Sequence, residues 1–239
     1  MPATGAPYRS EFHIIATGGK QGLSFLITFE GPDGCGKTTQ TRLLAAYLAE
    51  RGWDVLATRE PGGTRIGDKI RTIVLDLENT EVLSTTEFLL FSAARSQHVG
   101  QIILPHLDRG GVVISDRFAD SSLAYQGYGL EQDLDELRSI TRFATAGLVP
   151  DLTIFLDLPV QAGLLRKEGG QGDAWNRMEQ KELAYHERVR AGYLAMAAEE
   201  PSRWIVLDAT HDAVELQKRI RQLVLVRLDP KIELERGGE

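Results

Sequence analysis

The sequence predicts an α/β fold: a doubly wound, five-stranded parallel sheet with helices on both faces and a short lid. Two observations carry the prediction. Apolar, strand-forming runs alternate with helix-spaced patterns along the whole chain. Five such runs are each separated from the next by helix, as a parallel sheet covered on both faces requires. Composition agrees, since 42% hydrophobic and 26% charged residues over 239 positions suit one large α/β domain.

The elements follow in order. Residues 23–30 are apolar and rich in strand formers, and 39–51 have helical spacing with Leu43, Leu44, Tyr47 and Leu48 on one face. Residues 54–59 form a second strand, followed by helical stretches at 67–76 and 84–107. A short buried strand at 111–116 precedes a helix at 134–146, with no element assigned between them. The fourth strand, 151–158, leads to a helix at 160–167, and a long helix covers 177–200. Residues 204–208 are the last strand and 213–228 the closing helix. Residues 1–22 read as a flexible extension lacking the apolar core of a signal peptide, 23–228 as the domain, and 229–239 as a frayed tail. Gly169-Gly170-Gln171-Gly172-Asp173 interrupts two helices and is flanked by Arg166, Lys167 and Arg177. A lid over about 166–177 that closes on phosphates is favoured over a plain solvated loop.

Net charge is −7, from 34 acids against 27 bases, which argues against a nucleic-acid-coating surface. No apolar run approaches the ~18 residues of a membrane span. Cys35 is the one cysteine, so no intrachain disulfide or cysteine-rich metal site can form, and a reducing cytoplasm is the expected setting.

Gly31-Pro32-Asp33-Gly34-Cys35-Gly36-Lys37-Thr38 fits the phosphate-binding loop G-x-x-x-x-G-K-[ST], with a strand before it and a helix after it. Glycines let the backbone wrap an anion, its N–H groups point inward, and the helix N-terminus adds partial positive charge. Lys37, as an exposed loop cation, would reach the β- and γ-phosphates of ATP, and the Thr38 hydroxyl would ligate Mg²⁺. Ligands of such sheets lie at the carboxyl ends of the strands. Those ends carry Glu30, Arg59-Glu60, Asp116-Arg117 and Asp157. An arginine follows Asp116 where a hydrolytic motor usually has a water-positioning Glu, and no N-K-x-D guanine signature is present. Asp108-Arg109-Gly110-Gly111 fits D-x-x-G but precedes a strand. Phosphoryl transfer to an acceptor that already bears a phosphate is therefore favoured.

Five further segments carry a resemblance. They are 29–40 around the loop, Arg59-Glu60-Pro61-Gly62-Gly63-Thr64, Leu90-Phe91-Ser92-Ala93-Ala94-Arg95, Ser115-Asp116-Arg117-Phe118 and Ala124-Tyr125-Gln126-Gly127. In that order the chain closely resembles the bacterial thymidylate kinases from about 25 to about 227. The resemblance implies a P-loop nucleoside-monophosphate kinase fold, a homodimer, and conversion of ATP and dTMP to ADP and dTDP with Mg²⁺, in dTTP synthesis. It also implies roles. Asp33 would hold the 3′-hydroxyl side of the sugar, Phe91 would stack on thymine, and Arg95 would hydrogen-bond the base. Arg117 would grip the acceptor phosphate, Ser121 or Ser122 with Gln126 would edge the base, and Tyr125 would fill the space of a ribose 2′-hydroxyl. Glu60, Pro61 and Arg71 would lie on the acceptor side, and Asp116 with Thr38 on the metal side.

Two departures stand out. Some members have an arginine where Gly34 stands, so charge on the transferred phosphoryl must be met from the lid, with Arg166, Lys167 and Arg177 as candidates and Arg166 and Arg177 assigned to catalysis. Asn176 replaces an acidic residue usual before the lid arginine. Cys35 reads as a small filler, though the helix N-terminus and Lys37 should lower its thiol pKa. His98, His106, His186 and His211 lack ligand spacing and take no role. The rival readings are another nucleoside-monophosphate or deoxynucleoside kinase, or a P-loop ATPase switch acting on a protein partner.

Overall fold

The computed structural model describes residues 14–16, 23–169, 176–178 and 180–228. Five strands run parallel: β2 (Phe25–Glu30), β3 (Val55–Arg59), β4 (Val112–Asp116), β5 (Leu152–Asp157) and β6 (Trp204–Asp208). Their order across the sheet is β3-β4-β2-β5-β6. A short strand, β1 (Ile14–Ala16), pairs antiparallel with β3 at the edge. It falls in the segment read as an extension, so the sheet has six strands where five were expected.

The helices are α1 (Lys37–Glu50), α2 (Arg65–Leu75), α3 (Ser84–His98), α4 (Leu104–Asp108), α5 (Ala119–Ser122), α6 (Leu134–Ala144), α7 (Val160–Glu168), α8 (Leu183–Glu199) and α9 (Ala213–Leu228). Both sheet faces are dry because successive strand residues point opposite ways and each meets helix. Ile27, Phe29 and Ile114 pack under Leu44 and Leu48 of α1 and Ile220 and Val224 of α9. Leu26, Leu56 and Val113 face Val99, Ile103 and Leu107 on the other side. Each such fully buried Leu or Ile contributes ~1.5–3 kcal/mol.

Three elements differ from expectation. The helix read at 84–107 is continuous in course but passes through a π-helical turn, Val99–Ile103, just before Pro105. Proline has no N–H for the regular ladder, and a wider turn accommodates that. The helix read from 177 begins at Leu183. Arg177 instead lies against the end of α2, its N–H donating to Leu75 O at 3.3 Å. Between β4 and α6, α5 runs into a π-helical stretch, Leu123–Gly129; α5 carries the expected site residues Ser121 and Ser122, and the stretch carries Tyr125 and Gln126.

The chain leaves central β2 toward β3 on one side and later crosses to β5 on the other. The carboxyl end of β2 is thus the topological switch point, where ligands of open α/β sheets bind.

Candidate active site

One cleft at that end is lined by residues of the loop after β2, the ends of β3 and β4, α2, α3, α5 and α7. It brings together Asp33, Gly34, Gly36, Lys37 and Thr38 of the loop with Glu60, Pro61, Arg71, Phe91, Arg95, Asp116, Arg117, Ser121, Ser122, Tyr125 and Gln126. These residues come from five segments spread over 94 positions of sequence.

The loop has the backbone its glycines permit. Gly34 has φ +76°, and a Cβ there would lie 2.2 Å from Gly163 O. An arginine in place of Gly34 is therefore barred twice, by conformation and by the backbone of α7. Lys37 is 7% exposed, not the exposed cation expected; its Nζ donates to Gly31 O at 3.1 Å and Pro32 O at 2.9 Å. The Thr38 hydroxyl donates to Asp116 Oδ2. Cys35 corrects the sequence reading in one respect. It is 2% exposed and packs in the core cluster with Leu44, and burial pushes its thiol up in spite of Lys37. The filler reading holds, and the lowered thiol pKa does not.

Arg117 lines the cleft beside the phosphate loop. It follows β4 with φ +71°, a left-handed conformation that costs a non-glycine residue roughly 1–2 kcal/mol. Its N–H donates to Phe29 O at 2.9 Å and its carbonyl accepts from Ser115 Oγ at 2.7 Å, which holds the turn. The guanidinium reaches Asp33 Oδ1 and the Tyr125 hydroxyl, each at 2.9 Å through Nη2. Tyr125 in turn donates to Asp33 Oδ2 at 3.2 Å. Burial alone would raise the Asp33 carboxyl, but Arg117, Lys37 and Lys167 outweigh it and hold Asp33 well below the usual carboxylate range.

The other end of the cleft is a buried polar frame. Arg95, 2% exposed, donates from Nε to Glu60 Oε2 at 2.7 Å, from Nη1 to Ser122 Oγ at 2.9 Å and from Nη2 to Phe118 O at 3.0 Å. Glu60 also meets His98 Nδ1 at 3.1 Å, and His98 Nε2 meets Thr58 Oγ1 at 2.7 Å. Burial works against the Glu60 charge, but Arg95 and His98 together lower its pKa. Gln126 donates to Glu87 Oε1 at 2.9 Å, and Arg71 donates to Pro61 O at 3.0 Å. Phe91 is half-buried and lines the cleft between them.

A family model described as thymidylate kinase matches residues 29–220. A thymidylate kinase from Roseiflexus castenholzii is 53% identical over 213 residues, covering 84% of this chain and 93% of its own. One from Herpetosiphon aurantiacus is 51% identical over 226 residues, covering 85% and 94%. The chain belongs to the thymidylate kinase family. The crystal structure of thymidylate kinase from Ehrlichia chaffeensis agrees in fold, with a TM-score of 0.69 at 32% identity over 85% of this chain and 99% of that one.

Within this member of the thymidylate kinase family, three expected residues stand apart from the phosphate loop's centre or from the cleft. Arg177 is 6% exposed and tied to Glu87 Oε2 at 2.6 Å and Val74 O at 3.1 Å, so its charge steadies the carboxylate that holds Gln126. Arg166 turns to the carbonyls of Gly34 at 3.5 Å and Ala209 at 3.3 Å. Asp157, at the end of β5, is spent on a bidentate pair with Arg190 at 2.6 and 2.9 Å. Of the three lid candidates, Lys167 lines the cleft, with Nζ 3.9 Å from Asp33 Oδ1. Residues 170–175 of the expected lid lie outside the described residues. Sequence reasoning passed over His98, Glu87 and Tyr193; only contacts across 38 positions or more give them a role.

Proposed function

We propose that this protein transfers the γ-phosphoryl group of ATP to the phosphate of dTMP, giving ADP and dTDP. The observation that carries the reading is the placement of Arg117 in one cleft with the phosphate loop on one side and Phe91, Arg95 and Gln126 on the other. A phosphate oxygen of dTMP attacks the γ-phosphorus, the bond from that phosphorus to the β–γ bridging oxygen breaks, and ADP leaves. No covalent enzyme intermediate is needed, so the protein's work is positioning and charge neutralisation.

Arg117 offers a planar fork to the acceptor phosphate. Phe91 supplies a stacking face, worth ~1–3 kcal/mol per base. Arg95 and Gln126, fixed by Glu60 and Glu87, present donors to the base edge, and Ser122 buttresses Arg95. Asp33, held ionised, accepts from the sugar hydroxyl, while Tyr125, clamped to Asp33 and Arg117, narrows the space beside it.

Lys167 serves as the lid cation. Between 168 and 176 the chain has no Lys or Arg, and Arg166 and Arg177 are committed to carbonyls and to Glu87. Of the three candidates Lys167 is the one that lines the cleft, with Nζ 3.9 Å from Asp33 Oδ1, a position from which its charge can act on the transferred phosphoryl.

Thr38 and Asp116 offer a hydroxyl and a carboxylate on adjoining elements, and no cluster of three or more His, Cys, Asp or Glu occurs among the described residues. Few hard oxygen ligands suit Mg²⁺, which keeps waters and binds substrate phosphates, and not zinc. Bound there, Mg²⁺ would neutralise phosphate charge. Pairing of two copies fits the apolar faces left on neighbouring helices: Ile66 and Ile73 on α2, Leu89 on α3, and Phe143 on α6, which is 87% exposed. A cytoplasmic place fits a chain in which no helix of the described residues is long and apolar enough to cross a membrane.

An assay coupled to ADP release, run with dTMP, dUMP, dCMP, dGMP, AMP and thymidine, tests the reading. Turnover is expected to be highest with dTMP and absent with thymidine. Preference for thymidine would make this a nucleoside kinase, and ADP release indifferent to all six would favour an ATPase.

A further inference from the structure

Glu30 ends β2 one residue before the phosphate loop, and none of the roles above uses it. Its side chain is fully buried, and every oxygen is engaged. Oε1 accepts from the N–H of Phe118 at 2.8 Å. Oε2 accepts from Ser121 Oγ at 2.6 Å and from the Tyr193 hydroxyl at 2.8 Å. Those two hydroxyls are the acceptors for Arg117 Nη1, at 3.2 Å and 3.3 Å.

We propose that Glu30 is a positioning residue for the acceptor phosphate, aiming Arg117 through the hydroxyls of Ser121 and Tyr193. The reading rests on Arg117 being the acceptor-phosphate ligand. A hydroxyl has one proton and two lone pairs. When Ser121 and Tyr193 both give their protons to Glu30 Oε2, their lone pairs are left for Arg117 Nη1. The contact between the hydroxyls, 3.0 Å, is then carried by neither proton. One edge of the guanidinium is thereby pinned, while Nη2 is held by Asp33 and Tyr125. The fork is fixed at both ends without a direct ion pair between Arg117 and Glu30, which would compete with the phosphate for its charge. Asp120, the other carboxylate near Glu30, is occupied by Arg203 at 2.6 Å and Thr153 at 3.2 Å. The rigid π–π contact of Tyr193 on Phe155, with centroids 5.0 Å apart, holds the relay from α8.

Glu30→Gln replaces an acceptor at Oε2 with a donor of the same shape. The hydroxyls must then reverse, and their protons oppose Arg117. The measurement is equilibrium binding by calorimetry at pH 8, above the value of about 7 to which burial raises Glu30 so that it stands as the accepting carboxylate, with dTMP, thymidine and ATP, on the wild type, Glu30→Gln, Tyr193→Phe and Ser121→Ala. Loss of a hydrogen-bonded anchor on a charged group predicts a tenfold or greater weakening of dTMP in Glu30→Gln. Thymidine and ATP, which do not use Arg117's aim, keep their affinities. Tyr193→Phe and Ser121→Ala each show part of the same selective loss, and they carry the test if Glu30→Gln does not fold. Equal weakening of dTMP and thymidine overturns the proposal, since it marks a general structural role. So does an unchanged dTMP affinity in the variants. A wild type that binds thymidine as tightly as dTMP would instead refute the acceptor-phosphate role of Arg117, and this proposal with it.

Discussion

Gly163→Ala isolates how α7 is seated on the phosphate loop. A Cβ at Gly163 would stand 2.3 Å from Asp33 O, and one at Gly34 would stand 2.2 Å from Gly163 O. The two glycines therefore let backbone meet backbone. Since the obstructing atom is a carbonyl and not a side-chain tip, the clash is relieved only by moving α7 or the loop. Ordinary contact begins near 3.4 Å, so roughly 1 Å of withdrawal is required. Lys167, four residues on, moves with the helix. At an effective dielectric constant near 20, the attraction of two unit charges falls from about 4.3 kcal/mol at 3.9 Å to about 3.3 kcal/mol at 5 Å. That ~1 kcal/mol is about fivefold in rate, and a misplacement of ~1 Å at a reacting centre can reach a hundredfold. The kcat of Gly163→Ala is thus expected to fall five- to a hundredfold. Stability supplies an independent sign. Alanine favours a helix over glycine by ~0.8–1 kcal/mol, whereas overpacking costs ~1–3 kcal/mol. A fall in Tm is expected, opposite to helix propensity. Steady-state kinetics with both substrates and a thermal melt decide it. A variant with a raised Tm and kcat within twofold of wild type would refute the seating and the placement of Lys167 that depends on it.

The other predictions concern single groups in the same cleft. Arg117→Ala is expected to raise the KM for dTMP by roughly ten- to a hundredfold, the worth of a charge-assisted bond, with the KM for ATP unmoved; steady-state kinetics varying each substrate would show the reverse if the acceptor site were misassigned. Tyr125→Ala should relax discrimination against the thymine ribonucleotide, measured as the ratio of kcat/KM for the two sugars; an unchanged ratio counts against the steric role. Cys35, buried and with its thiol raised, is expected to resist iodoacetamide in the folded protein and react only after denaturation, as mass spectrometry of labelled protein would report. Glu30 has its carboxyl raised by burial to about 7 from 4.5, so the folded state keeps a proton that the unfolded chain loses. Stability from this group is full below about 4.5 and is lost as pH rises through 7, by on the order of 3 kcal/mol. Denaturant unfolding from pH 4.5 to 8 should show that loss in wild type and not in Glu30→Gln.

What the sequence made legible is what local pattern encodes. The five parallel strands, the loop after the first and the closing helix were visible because apolar runs, glycines and helical spacing are short-range signals. The first strand at Ile14–Ala16 was not, since three residues paired at an edge leave no pattern of their own. Within the site, the motif residues at strand ends were readable, and Asp33, Lys37, Arg95 and Arg117 do line one cleft. Lid chemistry was not. Arg166, Lys167 and Arg177 are equivalent as letters, and they are separated only by where α7 touches Gly34 and by the distant Glu87 that claims Arg177. Cys35 failed for a similar reason. Proximity to a helix N-terminus in sequence suggested an activated thiol, but the side chain turns into the core, where the cost of burying charge exceeds the pull of Lys37.

The same comparison explains why Arg117 can be both strained and dependable. Its left-handed backbone is a local cost that no neighbouring residue offsets alone. The compensation is distributed: Phe29 O and Ser115 Oγ fix the turn, Asp33 and Tyr125 hold one edge of the guanidinium, and Ser121 and Tyr193, backed by Glu30, hold the other. These partners come from β2, the phosphate loop, β4, α5, the π-helical stretch and α8. Strain at one residue is thereby spread over the whole fold, and under the proposed role of Arg117 its fork is aimed before an acceptor phosphate arrives. Loosening any single partner should accordingly cost acceptor affinity well before it costs the fold.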